Sequence, residues 1–214
     1  MNRLTLPFTY LVLAIVTLII ASTVTAQCPE TIILNSTSYA VPEQWRDICI
    51  DSTRLADTSR LVKLPEKFCF QGYRIFVTPE TRRAFEAMAD AARKDSVIFT
   101  VKSGYRSSSY QKTLLRKRMD KGMSFAEACR YVAPPGFSEH ETGAALDLTV
   151  TKGTFAGSTA YRWLKENGAR FGFVETYPDD SLAQLPWEPW HWCYNPEEAT
   201  EHAGASSVSA SSPN

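Results

Sequence analysis

The chain has 214 residues, with 23 Lys and Arg against 23 Asp and Glu, so its formal net charge is zero; 44% of it is hydrophobic. That hydrophobic share supports a packed core, and the balanced charge argues against nucleic acid as a partner. The length left after the N-terminal segment suits one domain with an extension.

Residues 1–26 read as an export signal. Arg3 gives a positive start, residues 8–21 are mostly apolar and uncharged, and Val24-Thr25-Ala26 offers small residues for cleavage after Ala26. Leu6 to Ala26 is also long enough to cross a bilayer if left uncleaved, so a membrane-anchored form stays open. Gln27 before Cys28 argues against lipidation. The expected location is periplasmic or extracellular.

Residues 27–61 form an extension that holds Cys28, Trp45 and Cys49 and can pack on the main domain or be tied to it by a disulfide. Asn35-Ser36-Thr37 matches a glycosylation acceptor, relevant only in a eukaryotic secretory pathway. The remaining cysteines are Cys69, Cys129 and Cys193. In an oxidising compartment, five cysteines suggest two disulfides and one free thiol, with the pairing open. No CxxC pair exists for a zinc finger.

A helix is expected from Pro79, with Thr78 as its cap, to about Lys94. A strand follows over Val97 to Val101, then a helix over about Ser108 to Lys121 stopped by Gly122. Ser124 and Glu127 make a capping box for a third helix, ending before Pro134. Residues 144–150 read as a strand with Leu146, Leu148 and Val150 on one face and Ala145, Asp147 and Thr149 on the other. A helix from Ser158 to about Asn167 ends at Gly168. Phe171 to Glu175 and Trp190 to Tyr194 are further strands. Residues 197–214 are rich in Ala and Ser and read as a disordered tail carrying a solvated His202.

Two motifs carry the chemistry. The first is Ser138-Glu139-His140-Glu141-Thr142-Gly143-Ala144-Ala145-Leu146-Asp147, and the second is Glu188-Pro189-Trp190-His191. His140, Asp147 and His191 are three candidate metal ligands, and three protein ligands on Zn²⁺ leave one position open. His140 and Asp147 stand seven apart across Gly143, unlike helical ligands, which sit three or four apart. His140 therefore belongs in a loop and Asp147 on the strand. Glu188, held off a helix by Pro189, is placed as a general base. Trp187, Trp190 and Trp192 are expected to wall the site. Cys193 shares a strand face with His191, but as a fourth ligand it would close the open position. Arg106 ends the polar turn Ser103-Gly104-Tyr105-Arg106 beside a helix N-terminus, where a guanidinium and N–H groups suit a carboxylate or an oxyanion.

Ser103-Gly104-Tyr105-Arg106-Ser107, then Val132 through Asp147, then Glu188 to His191, together resemble the D-alanyl-D-alanine carboxypeptidase family of the VanY type, over residues 62–196. These are M15 zinc peptidases related in fold to lysostaphin-type and hedgehog domains. The resemblance implies an α+β fold: a small antiparallel sheet carrying a zinc site, with helices packed on it. It implies zinc on His140, Asp147 and His191, Glu188 as catalytic base, Arg106 on the substrate oxyanion or carbonyl, and Gln111 and Ser138 as substrate contacts. Many relatives carry a basic residue where this chain has Cys193. The implied activity is zinc-dependent D-alanyl-D-alanine carboxypeptidase on peptidoglycan stem peptides. The alternatives are an L,D-carboxypeptidase, a dipeptidase or a wall endopeptidase of the same fold, or a non-catalytic zinc-stabilised binding domain, which would be free to lose Glu188.

Overall fold

The computed structural model of the chain describes residues 28–180 and 185–199. The expected signal segment, and the tail from residue 200 with His202, lie outside them. The first element is a hairpin, β1 Thr31–Leu34 and β2 Thr37–Ala40. Its two-residue turn, Asn35 and Ser36, has positive φ at both positions, as a turn matching the twist of the strands requires. The short strands β3 Val62–Lys63 and β4 Phe76–Val77 pair next. Then come α1 Pro79–Lys94, β5 Thr100–Ser103, α2 Ser108–Met119 and α3 Phe125–Ala128. The chain continues through β6 Ala145–Thr149, α4 Thr159–Asn167, β7 Phe173–Glu175 and β8 His191–Tyr194.

Side-chain caps set the helix starts. Thr78, Ser107, Ser124 and Ser158 each accept a backbone N–H of the first turn, and Glu127 completes the capping box with Ser124. Three elements differ from expectation. The strand expected at Val97 begins only at Thr100, because Ser96 turns the chain at φ 61°. It ends at Ser103, and a register shift between Val101 and Ser103 re-aims the strand just before the polar turn. The third helix is a single turn, Phe125–Ala128. Gly168 does not end α4 in a left-handed conformation; its φ is −55° and the chain winds on to Gly172, at φ +78°. Gly168 answers a packing need instead, since a Cβ there would stand 3.0 Å from both the Phe173 carbonyl and the Trp192 ring.

β5, β6, β8 and β7, in that order, form one antiparallel sheet. Its register places Asp147 opposite both Ser103 and His191. Leu146 and Leu148, on the other face, join Phe85, Met88, Phe99, Trp163, Phe173 and Trp192 in a first core. A second core gathers Ile32, Leu34 and Trp45 with Leu115, Phe125, Cys129, Val132 and Phe137.

One disulfide joins Cys28 to Cys49. It lies inside the extension and does not tie it to the main domain. Cys69, Cys129 and Cys193 are buried thiols, so the structure has one bond where two were expected. Trp45 Nε1–H donates to the Cys129 carbonyl, Ile50 N–H to Gly136 and Ala56 N–H to Glu141. No helix among the described residues is long and apolar enough to cross a membrane.

Candidate active site

The seven residues singled out in sequence, His140, Asp147, His191, Glu188, Arg106, Gln111 and Ser138, all line one open cleft of about 730 Å³. Asp147 projects from the centre of β6, and His191 enters from the first residue of β8. His140 comes from a short helical turn, Glu139–Thr142, just before β6. His140 Nε2 lies 3.2 Å and His191 Nδ1 3.3 Å from Asp147 Oδ1. Donor atoms of the three residues all fall within 4.8 Å of one another, the one such cluster among the described residues.

That spacing passes a test of fit. Donors held tetrahedrally at about 2.0–2.1 Å from Zn²⁺ stand about 3.3 Å apart. The far nitrogens are committed: His140 Nδ1 pairs with the Gly104 carbonyl at 2.6 Å and His191 Nε2 with Glu139 at 2.8 Å. If each far nitrogen carries its ring's proton, the near nitrogens face the Asp147 oxygen as lone pairs. Lone pair against lone pair at this distance needs a cation between, whether a proton or a metal. Such outer partners fix ring tautomers at metal sites.

The charge distribution follows from burial and pairing. Burial drives His140 down to about 4, so that ring is neutral at pH 7. Burial also works against a charged His191, but its bonds to Asp147 and Glu139 outweigh that and lift it to about 9. Burial would raise Asp147, yet the two His rings and Arg106 hold its carboxyl well below the usual range. Burial raises Glu188 above the ordinary glutamate value. Glu188 lies outside the donor cluster, and its backbone is fixed by N–H donation to Tyr177 and by accepting from His191 N–H at 2.9 Å.

Arg106 Nη2 donates to Asp147 Oδ2 at 3.3 Å, while its Nε is buried without a partner. Gln111 is 1% exposed; its Nε2 donates to the Ala133 carbonyl and its Oε1 has no partner. A buried acceptor with nothing to accept is costly, and an incoming N–H in the cleft would satisfy it. Ser138 is also buried and lines the cleft.

The expected tryptophan wall is corrected. Trp190 lines the cleft, but Trp192 alternates to the opposite sheet face and joins the first core. Trp187 donates to Glu175, away from the cleft. Tyr177 takes the vacant part, its ring 4.9 Å from that of His191. Cys193 is buried between Ala145 and Val174 and lies outside the donor cluster.

Three supporting residues had no role assigned from sequence. Glu139 orients His191, and its position beside His140 in the motif was the available signal. Gly104 offers its carbonyl to His140. A Cβ at Gly104 would meet Ile75 Cγ2 and the Phe76 carbonyl at 2.7 Å, so only glycine fits there. Glu141, 4% exposed, accepts from Gly136 N–H at 2.7 Å and from the Ser108 hydroxyl, pinning the loop to α2.

The sequence profile of the family VanY, described as D-alanyl-D-alanine carboxypeptidase, matches residues 74–197. A D-alanyl-D-alanine carboxypeptidase of Enterococcus faecalis is 38% identical over 115 residues, which cover 49% of this chain and 43% of that protein. The chain thus spans less than half the length of that relative. Among solved structures, the LD-carboxypeptidase LdcB superposes with a TM-score of 0.60 at 28% identity, covering 71% of this chain and 75% of that one. A mutant of the vancomycin-resistance D,D-pentapeptidase VanY in complex with Zn(II) gives a TM-score of 0.56 at 31% identity, covering 72% and 86%.

Proposed function

The chain belongs to the VanY D-alanyl-D-alanine carboxypeptidase family, and from that premise we propose that it is an exported zinc peptidase that removes the C-terminal D-alanine from peptidoglycan stem peptides. In this reading residues 62–196 are the catalytic domain, 27–61 an extension and 197–214 a tail. The observation that carries it is the spacing of His140 Nε2 and His191 Nδ1 about Asp147 Oδ1, 3.2 and 3.3 Å, and it is supported by the Zn(II) complex of the VanY relative.

His140, Asp147 and His191 would hold the ion. When bound, Zn²⁺ supplies Lewis acidity for the scissile carbonyl and acidifies water. Glu188 takes a proton from the attacking water. As the C–N bond breaks, Glu188 returns that proton to the leaving amine, giving free D-alanine and the shortened peptide acid. The raised pKa of Glu188 suits both halves of that transfer. Arg106 presents a guanidinium to the oxygen on which charge develops, and Asp147 holds it there. Gln111 Oε1 accepts a substrate N–H, and Ser138 contacts the substrate beside it.

A second reading, an L,D-carboxypeptidase acting one residue earlier, is favoured by the likeness to LdcB. The intact Glu188 speaks against a non-catalytic zinc domain. Zinc-loaded protein incubated with tripeptide, tetrapeptide and pentapeptide stems separates these readings. D-alanine release from the pentapeptide is the expected result. Release from the tetrapeptide alone selects the L,D reading, and release from none overturns both.

A further inference from the structure

The cleft extends well past the candidate metal site. Its acidic lining residues, Glu139, Asp147 and Glu188, belong to the metal end, while the opposite arm is basic. One wall of that arm is α2. Gln111, Leu114 and Arg118 follow at steps of three and four, share one helix face, and all line the cleft. At 1.5 Å rise per residue, Arg118 lies about 10 Å farther along α2 than Gln111. An extended peptide covers that distance in about three residues.

The arm has the makings of an anion site. The Arg118 guanidinium lies over the Tyr131 ring, 4.7 Å from its centroid, which fixes its plane and leaves its N–H edge free. Arg130 lines the same arm, and Trp45 of the extension adds an aromatic surface. Neither guanidinium makes a salt bridge among the described residues, although the Arg118 charge is felt by Glu188 at the metal end. Glu127, the carboxylate whose charge is felt by Arg130, is committed to the Ser124 N–H and hydroxyl. A cation in the last turn of α2 also complements the helix dipole. Arg116 and Lys117 serve that purpose equally and do not line the cleft.

We propose that Arg118 and Arg130 form a carboxylate subsite for a group two to three residues N-terminal to the cleaved bond. The enzyme would then prefer stem peptides whose carboxylates are free over those in which they are amidated. The inference rests on the peptidase reading and names the substrate class within it. Paired guanidinium–carboxylate bonds are stronger than neutral ones and geometrically selective.

The test is calorimetric binding of the stem tripeptide, a fragment of the tetrapeptide product that neither reading hydrolyses, to the zinc-loaded protein. One peptide carries a free carboxylate at its second residue and the other carries the amide. The free acid should bind at least about tenfold tighter, with the gap narrowing as salt is raised. In Arg118→Ala/Arg130→Ala the two peptides should bind alike, at the wild-type affinity for the amide. Equal binding of acid and amide by the wild type overturns the subsite, and that comparison stands even if the double variant does not fold. A preference that survives the double variant places the anion site elsewhere and also overturns it. Hydrolysis is scored separately: a binding preference without turnover would sink the peptidase reading and leave the subsite, while turnover without preference would do the reverse.

Discussion

The core beneath the four-stranded sheet and the core behind α2 and the N-terminal hairpin meet at the cleft, and they support it differently. In the first, Leu146 and Leu148 anchor β6 from below, so Asp147 between them points into the cleft by strand alternation alone. β8 then delivers His191 by register. In the second core the support is long-range. Trp45, Ile50 and Ala56 bond to Cys129, Gly136 and Glu141, and so brace the loop that carries Ser138. The first region has no disulfide; the second is closed by Cys28–Cys49. In the proposed reading the labour is divided: the sheet fixes the donor cluster, and the second core shapes the arm that would receive the peptide.

The largest expected effect tests the sheet side. Asp147→Ala should remove zinc binding and all measurable turnover, because Asp147 touches both His rings and Arg106. Metal analysis and D-alanine release check it. Full activity without stoichiometric zinc would break the comparison at its root.

Next comes Arg106→Ala, with an expected loss of about 10²–10³ in turnover at saturating zinc. Arg106 and Asp147 are far apart in sequence yet bonded in space, so weaker zinc affinity should accompany the loss. A rate that recovers fully with added zinc would reduce Arg106 to a ligand-orienting role.

Which parts were legible in sequence follows the same division. Caps at Thr78 and Ser124, the β6 alternation and the residues of the His140, Asp147 and His191 donor cluster were readable because each is a local pattern. Trp192 was misplaced on the cleft wall, since it sits next to His191 in sequence but alternates to the core face. The late start of β5 depends on the turn at Ser96, which carries no Gly or Pro to mark it. The roles of Gly104 and Glu141 depend on contacts 36 and 33 residues away in sequence, beyond any motif. The cysteine count suggested two bonds; burial of Cys69, Cys129 and Cys193 in separate places leaves one.

The disulfide prediction sharpens the second half. Cys28→Ser/Cys49→Ser opens a loop with a sequence separation of 21 residues, worth about 3 kcal/mol by chain entropy. Denaturant melts should show that loss. Because the second core touches the peptide arm and not the ligands, KM should rise while kcat stays within a few-fold. A collapse of kcat with KM intact would contradict the division.

The smallest effect is a proton count. The folded value of His191, about 9, lies above its unfolded value of 6.5. Its contribution to the stability of metal-free protein is therefore full below pH 6.5 and lost as pH rises toward 9. Zinc must displace that proton, so binding at pH 7 should release about one proton from His191. His140, already neutral, should release none. Calorimetry in buffers of different ionisation enthalpy reads the number, and a count near zero would show that His191 is uncharged before the metal arrives.

The most direct test of the central claim is Glu188→Gln, read twice. Gln keeps the shape of Glu188 but cannot accept a proton at neutral pH, and a positioned acid–base group is worth about 10²–10⁴ in rate. Zinc content and the rate of D-alanine release from a pentapeptide stem are measured side by side for wild type and variant. Full zinc with a rate lowered by that factor is the predicted result. Zinc lost together with activity would make Glu188 a ligand or a structural residue, and an unchanged rate would place the general base elsewhere.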